Sequence, residues 1–334
     1  MDLDLLVIGD SSAGWQGAVT AAQLGHKVGL IALSAGAAAW QADLRQIPGE
    51  VLSDACADWP LSGRVEPTGS RPAGHVQWIR FAAYVKATWQ HEIDLYRGQL
   101  LAAGGQVWAG SPVLTSTQSV TVASSESTSQ ELQAPQMLIA IGTEPRRPRF
   151  ANVELPNVFD AARMLDVVAL PQEACVVGAG VTGLRAACLL AWWGVKVRVI
   201  DGWSRDSLLH DEEISAQFSQ AAELGVSFEC GEDVIGLMAG AGRRVVITLE
   251  SGHHLETQSV FLATGRQGRT DELQLENAEL TSDDCGRLWC GAELRTWTES
   301  ISAVGDVVGY TPEIGSEREL VNLAVQALLA PVLV

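Results

Sequence analysis

Positive charge is scarce in this chain. Against 40 Asp and Glu stand only 22 Lys and Arg, a formal net charge of -18 over 334 residues. Nucleic acids and anionic membrane surfaces are bound through basic faces, so neither is expected as a partner. No apolar run reaches the length of a membrane span, and the apolar tail from Ala324 to Val334 is too short for one. The N-terminus, Met1-Asp2-Leu3-Asp4, carries no basic segment ahead of an apolar one. No secretory signal is therefore expected, and the cytoplasm is the expected compartment. Cysteine is limited to 6 residues. Cys175, Cys188 and Cys230 fall in apolar segments, where a buried free thiol is the ordinary state. Cys285 and Cys290 could form a redox pair or flank a hairpin turn at Asp283-Asp284-Cys285-Gly286. Spacing alone favours the hairpin. No metal site is expected.

What the chain does have is apolar and glycine content, 47% hydrophobic residues and 33 Gly, enough for two or three domains with real cores. One stretch organises it. Ala174 to Val177 reads as a buried parallel strand and runs into Gly178-Ala179-Gly180-Val181-Thr182-Gly183, a complete G-x-G-x-x-G. An apolar helical stretch, Leu184 to Trp193, follows, then an apolar strand, Val195 to Ile200, ending in Asp201. Strand, tight turn, helix, strand and acid in that order form the dinucleotide fingerprint. Gly178 allows the turn, Gly180 lets backbone approach a pyrophosphate, and Gly183 lets helix pack on strand. The free N–H groups of the helix N-terminus face the phosphates. Asp201 is placed to accept from a ribose diol. The alternative reading of such a loop is a purely structural turn.

The same design recurs at the N-terminus in altered form. A strand, Leu5 to Ile8, leads into Gly9-Asp10-Ser11-Ser12-Ala13-Gly14, then a helix to about Leu24 and a strand from Lys27 to Ile31. Gly9 and Gly14 keep the first and third glycine positions. Ser11 stands at the second, and Ala32 stands where the ribose acid belongs. Between the loops, Cys56 to Gly74 is rich in Pro, Gly and polar residues and reads as an irregular excursion. Ile79, Ala82, Ala83, Lys86, Trp89 and Ile93 recur at helical spacing within a helix from Trp78 to Ala103. Further strands are expected between Val107 and Val122, at Gln136 to Ile141, at Val226 to Cys230 and at Ser259 to Ala263, with a final helix from Glu317 to Leu329. Glu144 to Arg149 reads as a linker between domains.

Four pieces in order, the Gly9 to Gly14 loop, Ile139-Ala140-Ile141-Gly142-Thr143, the Gly178 to Gly183 loop, and Ala263-Thr264-Gly265-Arg266 followed by Ala303-Val304-Gly305-Asp306, resemble the pyridine nucleotide–disulfide oxidoreductases. Those are flavoproteins with two dinucleotide-binding folds. Val304-Gly305-Asp306-Val307-Val308-Gly309-Tyr310 looks most like the soluble transhydrogenase branch, and dihydrolipoamide dehydrogenases are also similar. The resemblance implies an α/β fold of two three-layer Rossmann-like domains with parallel central sheets and β-meander crossovers. It implies an FAD-type domain over residues 1–145 and 267–334 and an NAD(P)-type domain over 146–266. It places Gly9, Ser11, Gly14, Gly142, Gly305 and Asp306 in the FAD-type site, with Asp306 toward the flavin's ribityl chain. It places Gly178, Gly180, Val181, Gly183, Asp201, Gly265 and Arg266 in the NAD-type site. Hydride would pass between nicotinamide and flavin.

The departures carry as much as the matches. The family's redox cysteines fall at Gln41 and Gln46, which removes dithiol chemistry but not transhydrogenation. The family continues past the position of Val334 into a dimer domain that supplies a catalytic His–Glu pair, so that function is not expected here and the oligomeric state stays open. Ser11 and Ala32 leave the FAD site eroded, whereas NAD(P)(H) is expected, with Asp201 favouring NAD(H). A lysine and a glutamate that meet beside the flavin in the family correspond to Glu50 and Arg185, with both signs inverted. An ion pair between them is the expectation. Two readings follow. One is a transhydrogenase-like or diaphorase-like oxidoreductase without dithiol chemistry. The other is a non-catalytic homologue that binds NAD(P)(H) as a regulatory or interaction protein.

Overall fold

A computed structural model describes residues 2–33, 75–123, 128–148, 150, 152–310 and 315–330. The described residues fall into two units, one made of residues 2–33, 90–144 and 266–330, the other of 75–89 and 145–265.

Each unit is built on a five-stranded sheet. In the first, the strand order is Ile301–Ala303, Gln136–Ile139, Leu5–Ile8, Val28–Ala32, Gln106–Ala109, with every neighbouring pair parallel. In the second, the order is Val158–Asp160, Ser259–Leu262, Glu173–Val177, Lys196–Asp201, Ser227–Cys230, again all parallel. The two orders are equivalent: the strand that enters the glycine loop is central, with the strand that follows the nucleotide helix beside it. Each unit also inserts a three-stranded antiparallel meander ahead of the crossing strand. These are Ser111–Ser116, Ser119–Ala123 and Ser129–Gln133 in one, and Val234–Ala239, Val245–Leu249 and His254–Thr257 in the other. Parallel strands covered on both faces become continuous apolar runs rather than alternating ones, and Leu5, Leu6, Val7 and Ile8 are all fully buried. In the second unit the meander closes one face of the sheet. Val177, Ile200 and Val260 pack in one cluster with Leu237, Val245, Ile247 and Leu249. Each such side chain contributes about 1.5–3 kcal/mol on burial.

The helix His75–Ala102 corrects two expectations. Residues 75–89, placed by sequence in the FAD-type domain, cluster with the second unit instead. The reason is an aromatic nest whose partners lie a hundred residues on. Trp78 meets Trp193 edge-on at 5.5 Å, Phe81 lies 5.3 Å from the same ring, and the Trp78 indole N–H donates to the Val167 carbonyl at 2.6 Å. The residues named at helical spacing are buried only in part: Ala82, Trp89 and Ile93 are, but Ile79 and Ala83 are not. Trp78, Phe81, Ala82, Val85 and Trp89 face inward, while Ile79 is 44% exposed, because the large rings carry more apolar area than the residues beside them.

Candidate active site

The intact loop is shaped by backbone. Gly178 has φ +110°, and a Cβ there would run into the Ala263 carbonyl. Gly183 packs so close to the Gly178 carbonyl that no side chain fits between helix and loop. Gly180 is the N-cap of the helix Val181–Trp192, extended at φ -73°, ψ 177°, with no side-chain cap and no acidic residue in the first turn. Nothing would lie within 4 Å of a Cβ on Gly180. This helix N-terminus, with Val181 as its first residue, is thus approached by open space and has no carboxylate of its own. Asp201 ends the adjacent strand. One carboxylate oxygen accepts the Ala179 N–H at 2.6 Å and the other accepts the Trp203 N–H at 2.8 Å. Both oxygens keep lone pairs for a further donor. The neighbouring cations are drawn off it: Arg198 pairs with Glu229 at 3.4 Å, and Arg205 lies 5.2 Å over the Phe218 ring. Gly265 is an exposed turn at φ +105° whose carbonyl accepts the Arg146 N–H at 3.0 Å. Arg266 departs from its expected place. It opens the last stretch of the first unit, where its guanidinium donates to Thr143 Oγ1 at 2.7 Å and to the Thr143 carbonyl at 2.6 Å. Its planar fork matches a hydroxyl and a carbonyl on one residue.

The altered loop keeps the same backbone with different occupants. Gly9, at φ +117°, abuts the Ala140 carbonyl as Gly178 abuts that of Ala263. Ser11 takes the place of Gly180 with nearly the same dihedrals, φ -63° and ψ 167°. Its hydroxyl donates to the Ala140 carbonyl at 2.7 Å and accepts the Gly14 N–H at 3.3 Å. One of the N–H groups that a phosphate would use is therefore already bonded. Asp10 stands in the place of Ala179, and its carboxylate accepts the Leu33 N–H at 3.3 Å. The link between glycine loop and strand end is retained with donor and acceptor exchanged, and the acid missing at Ala32 has moved onto the loop. Ser12, first residue of the helix Ser12–Gln23, donates its hydroxyl to Glu317 Oε1. Gly142, buried at φ +65°, leads from the crossing strand to Thr143. Thr143 Oγ1 also lies 3.4 Å from Asp306 Oδ2. Gly305, at φ +77°, opens the short turn Gly305–Val307 that carries Asp306, and a Cβ on it would crowd Ala13.

The sequence signalled neither the Asp10 exchange nor Glu317. A capping box, Ser316 with Glu319, is legible in the spacing, but the direction taken by Glu317 is not.

Arg185 lies 3.6 Å from Glu213, on the helix Glu212–Glu223. Glu50, its expected partner, and Gln41 and Gln46 lie outside the described residues. Cys175, Cys188, Cys230, Cys285 and Cys290 are free thiols. Burial pushes Cys175, Cys188 and Cys290 up to about 11, which keeps these thiols protonated and poorly nucleophilic at neutral pH. Cys285 sits in the expected turn, with its N–H donated to Asp283 at 2.8 Å. A cavity of about 230 Å³ lies at the start of the second sheet's strands, lined by Glu173, Lys196, Arg198, Ser227 and His254. Ligands of open α/β sheets bind at the opposite, carboxyl end of the strands. Among the described residues no His, Cys, Asp and Glu cluster could hold a metal ion, and no helix is long and apolar enough to cross a membrane.

Comparison with protein families matches residues 3–328 to the pyridine nucleotide-disulphide oxidoreductases. The chain belongs to that family. Among curated relatives of this oxidoreductase, a soluble pyridine nucleotide transhydrogenase of Mycobacterium bovis is 29% identical over 331 residues, covering 97% of this chain and 70% of the relative. One from Chromohalobacter salexigens is 29% identical over 320 residues, covering 94% and 68%. Among solved structures, the HOCl-induced flavoprotein disulfide reductase RclA of Escherichia coli superposes with a TM-score of 0.78 at 20% identity, covering 98% of this chain and 71% of that one. LpdA of Mycobacterium tuberculosis superposes with a TM-score of 0.76 at 23% identity, covering 97% and 72%. At these identities the structures establish the fold alone: paired α/β dinucleotide-binding units. Membership of the oxidoreductase family implies FAD and a pyridine nucleotide as cofactors. The residues of the second unit fit a dinucleotide. Those of the first keep the glycines, and there the Ser11 hydroxyl accepts the Gly14 N–H and the Ser12 hydroxyl donates to Glu317.

Proposed function

We propose that this protein is a transhydrogenase-like or diaphorase-like oxidoreductase that transfers hydride between NAD(P)H and a flavin, without dithiol chemistry. The observation that carries the reading is the uncapped N-terminus of the helix Val181–Trp192 beside Asp201. Gly178, Gly180, Val181 and Gly183 would hold the pyrophosphate on backbone N–H groups, which suits a chain with few cations. Asp201 would take the adenosine ribose and disfavour a 2′-phosphate, so NAD(H) is the expected nucleotide. Gly265 would line the same site. A flavin, when bound, supplies the two-electron partner. On the first unit Gly9, Gly14, Gly142, Gly305 and Asp306 would shape its place, with Thr143 and Arg266 holding Asp306's surroundings.

A second reading is favoured by one observation, the self-satisfied loop at Ser11 and Ser12. It is a non-catalytic homologue that binds NAD(H) alone. Both readings expect calorimetric NADH binding stronger than NADPH binding. They separate on NADH oxidation with saturating added FAD and an electron acceptor. Turnover above the free-flavin rate supports the oxidoreductase; NADH binding without turnover supports the binder and overturns the first reading.

A further inference from the structure

The N-termini of the two nucleotide helices differ in one respect that matters for anion binding. The helix Val181–Trp192 has no carboxylate in its first turn and no side-chain cap. The helix Ser12–Gln23 has its cap supplied by Ser11, and the hydroxyl of its first residue is bonded to a carboxylate from the helix Glu317–Leu329. That carboxylate comes from the helix that follows the Gly305 turn, where a side chain on Gly305 would crowd Ala13. A helix N-terminus carries partial positive charge and attracts one anion into its first turn. Here an anion belonging to the protein is already there.

We propose that Glu317 is a built-in competitor for the dinucleotide pyrophosphate, so that the flavin of this chain is an exchangeable partner rather than a resident one. This rests on the reading of the first unit as the flavin site. A pyrophosphate entering the Gly9 to Gly14 loop must displace the Glu317 carboxylate from Ser12 or share the helix end with it, and two anions there repel. Glu317 is exposed as a residue on the first turn of its helix, while its carboxyl end is crowded where it meets Ser12, so the side chain has room to swing away.

The competition depends on charge. Crowding of the Glu317 carboxyl by protein raises its pKa, Ser12 partly offsets this, and the Asp306 charge adds to it. The other charged groups nearby are Asp10, bonded to the Leu33 N–H, and on its own helix Arg318 and Glu319, the latter held by Ser316. The charge on Glu317 is thus easier to lose than that of an ordinary glutamate, and flavin uptake strengthens on mild acidification.

The test is calorimetric titration of the full chain with FAD in mildly alkaline and mildly acidic buffer, for the wild type, Glu317→Gln and Glu317→Ala, with NADH titration reporting the fold. In alkaline buffer both variants should bind FAD about tenfold or more tighter than the wild type, the worth of one charge-assisted contact. Acid should tighten the wild type and leave Glu317→Gln nearly unchanged. Stoichiometric FAD surviving dialysis of the wild type in alkaline buffer, or variants that bind FAD no tighter, would overturn the proposal while sparing the flavin reading. Absence of FAD binding in all three proteins, with NADH binding intact, would overturn the flavin reading and the proposal with it.

Discussion

At the scale of single residues, the two loops separate what a glycine is needed for from what it permits. Gly9 and Gly178 are required: both hold positive φ, and both leave no room for a Cβ against a neighbouring carbonyl. Gly178→Ala should therefore cost about 1–2 kcal/mol for the backbone conformation and about 1–3 kcal/mol more for the displaced Ala263 carbonyl. Urea denaturation followed by far-UV circular dichroism reads that loss, and an unchanged midpoint would contradict it. The middle position is different. Ser11 and Gly180 share an extended conformation open to any residue, so the substitution there changes contacts and not backbone. Asp201 gives the second prediction at this scale. Asp201→Asn keeps the side-chain shape, but the amide cannot accept at both ends. NADH affinity should fall about tenfold, in line with a charge-assisted hydrogen bond of about 1.5–3 kcal/mol. Discrimination against NADPH should shrink with it. Calorimetry showing tighter NADPH than NADH binding in the wild type would remove the role assigned to this carboxylate.

At the scale of elements, strands and nucleotide helices were legible because their signals are local. An apolar run of the right length ending in glycine needs no distant partner to be read, and Leu5 to Ile8 and Ala174 to Val177 lie within the strands as expected. The helix His75–Ala102 was legible as a helix but not in its facing or its allegiance. Periodicity alone supports both the stripe through Ile79 and the one through Trp78, and the choice is made by Trp192 and Trp193. Trp78→Ala removes a ring 1% exposed together with its hydrogen bond to the Val167 carbonyl. It should destabilise the protein by about 3–5 kcal/mol, measured as a lower urea midpoint. Ile79→Ala, on the exposed side, should stay within about 0.5 kcal/mol. Equal losses at the two positions would show that the helix packs by another face.

For the whole molecule, the duplicated architecture is the best-read feature, since two copies of strand, loop, helix and strand announce two equivalent sheets. The altered first site was half legible. Ser11 and Ala32 are visible as departures in the string, but the Asp10 exchange and the reach of Glu317 to Ser12 depend on side-chain direction across 305 residues, which spacing does not encode. The acidic balance of the chain has a consequence for stability and pH. Glu317 has a raised pKa, so its charged form is disfavoured in the folded state, and that cost is relieved as pH falls through its folded value. Self-repulsion from a net charge of -18 is relieved in the same direction. Asp166 and Asp283 act oppositely. Burial works against both, but Lys86 and Arg163 hold Asp166 low, and the Arg287 and Cys285 N–H groups with the Arg287 charge hold Asp283 low. Their stabilising contribution is fully present above the ordinary aspartate value of 3.8 and is lost as pH falls through their lower folded values. The urea midpoint should therefore rise from alkaline to mildly acidic buffer and then fall in strong acid. Asp283→Asn should lower the midpoint at neutral pH and flatten the acid limb, while Glu317→Gln should flatten the alkaline one. A wild-type midpoint that declines steadily from neutral to mildly acidic pH would mean that paired carboxylates, rather than Glu317 and the net charge, dominate the balance.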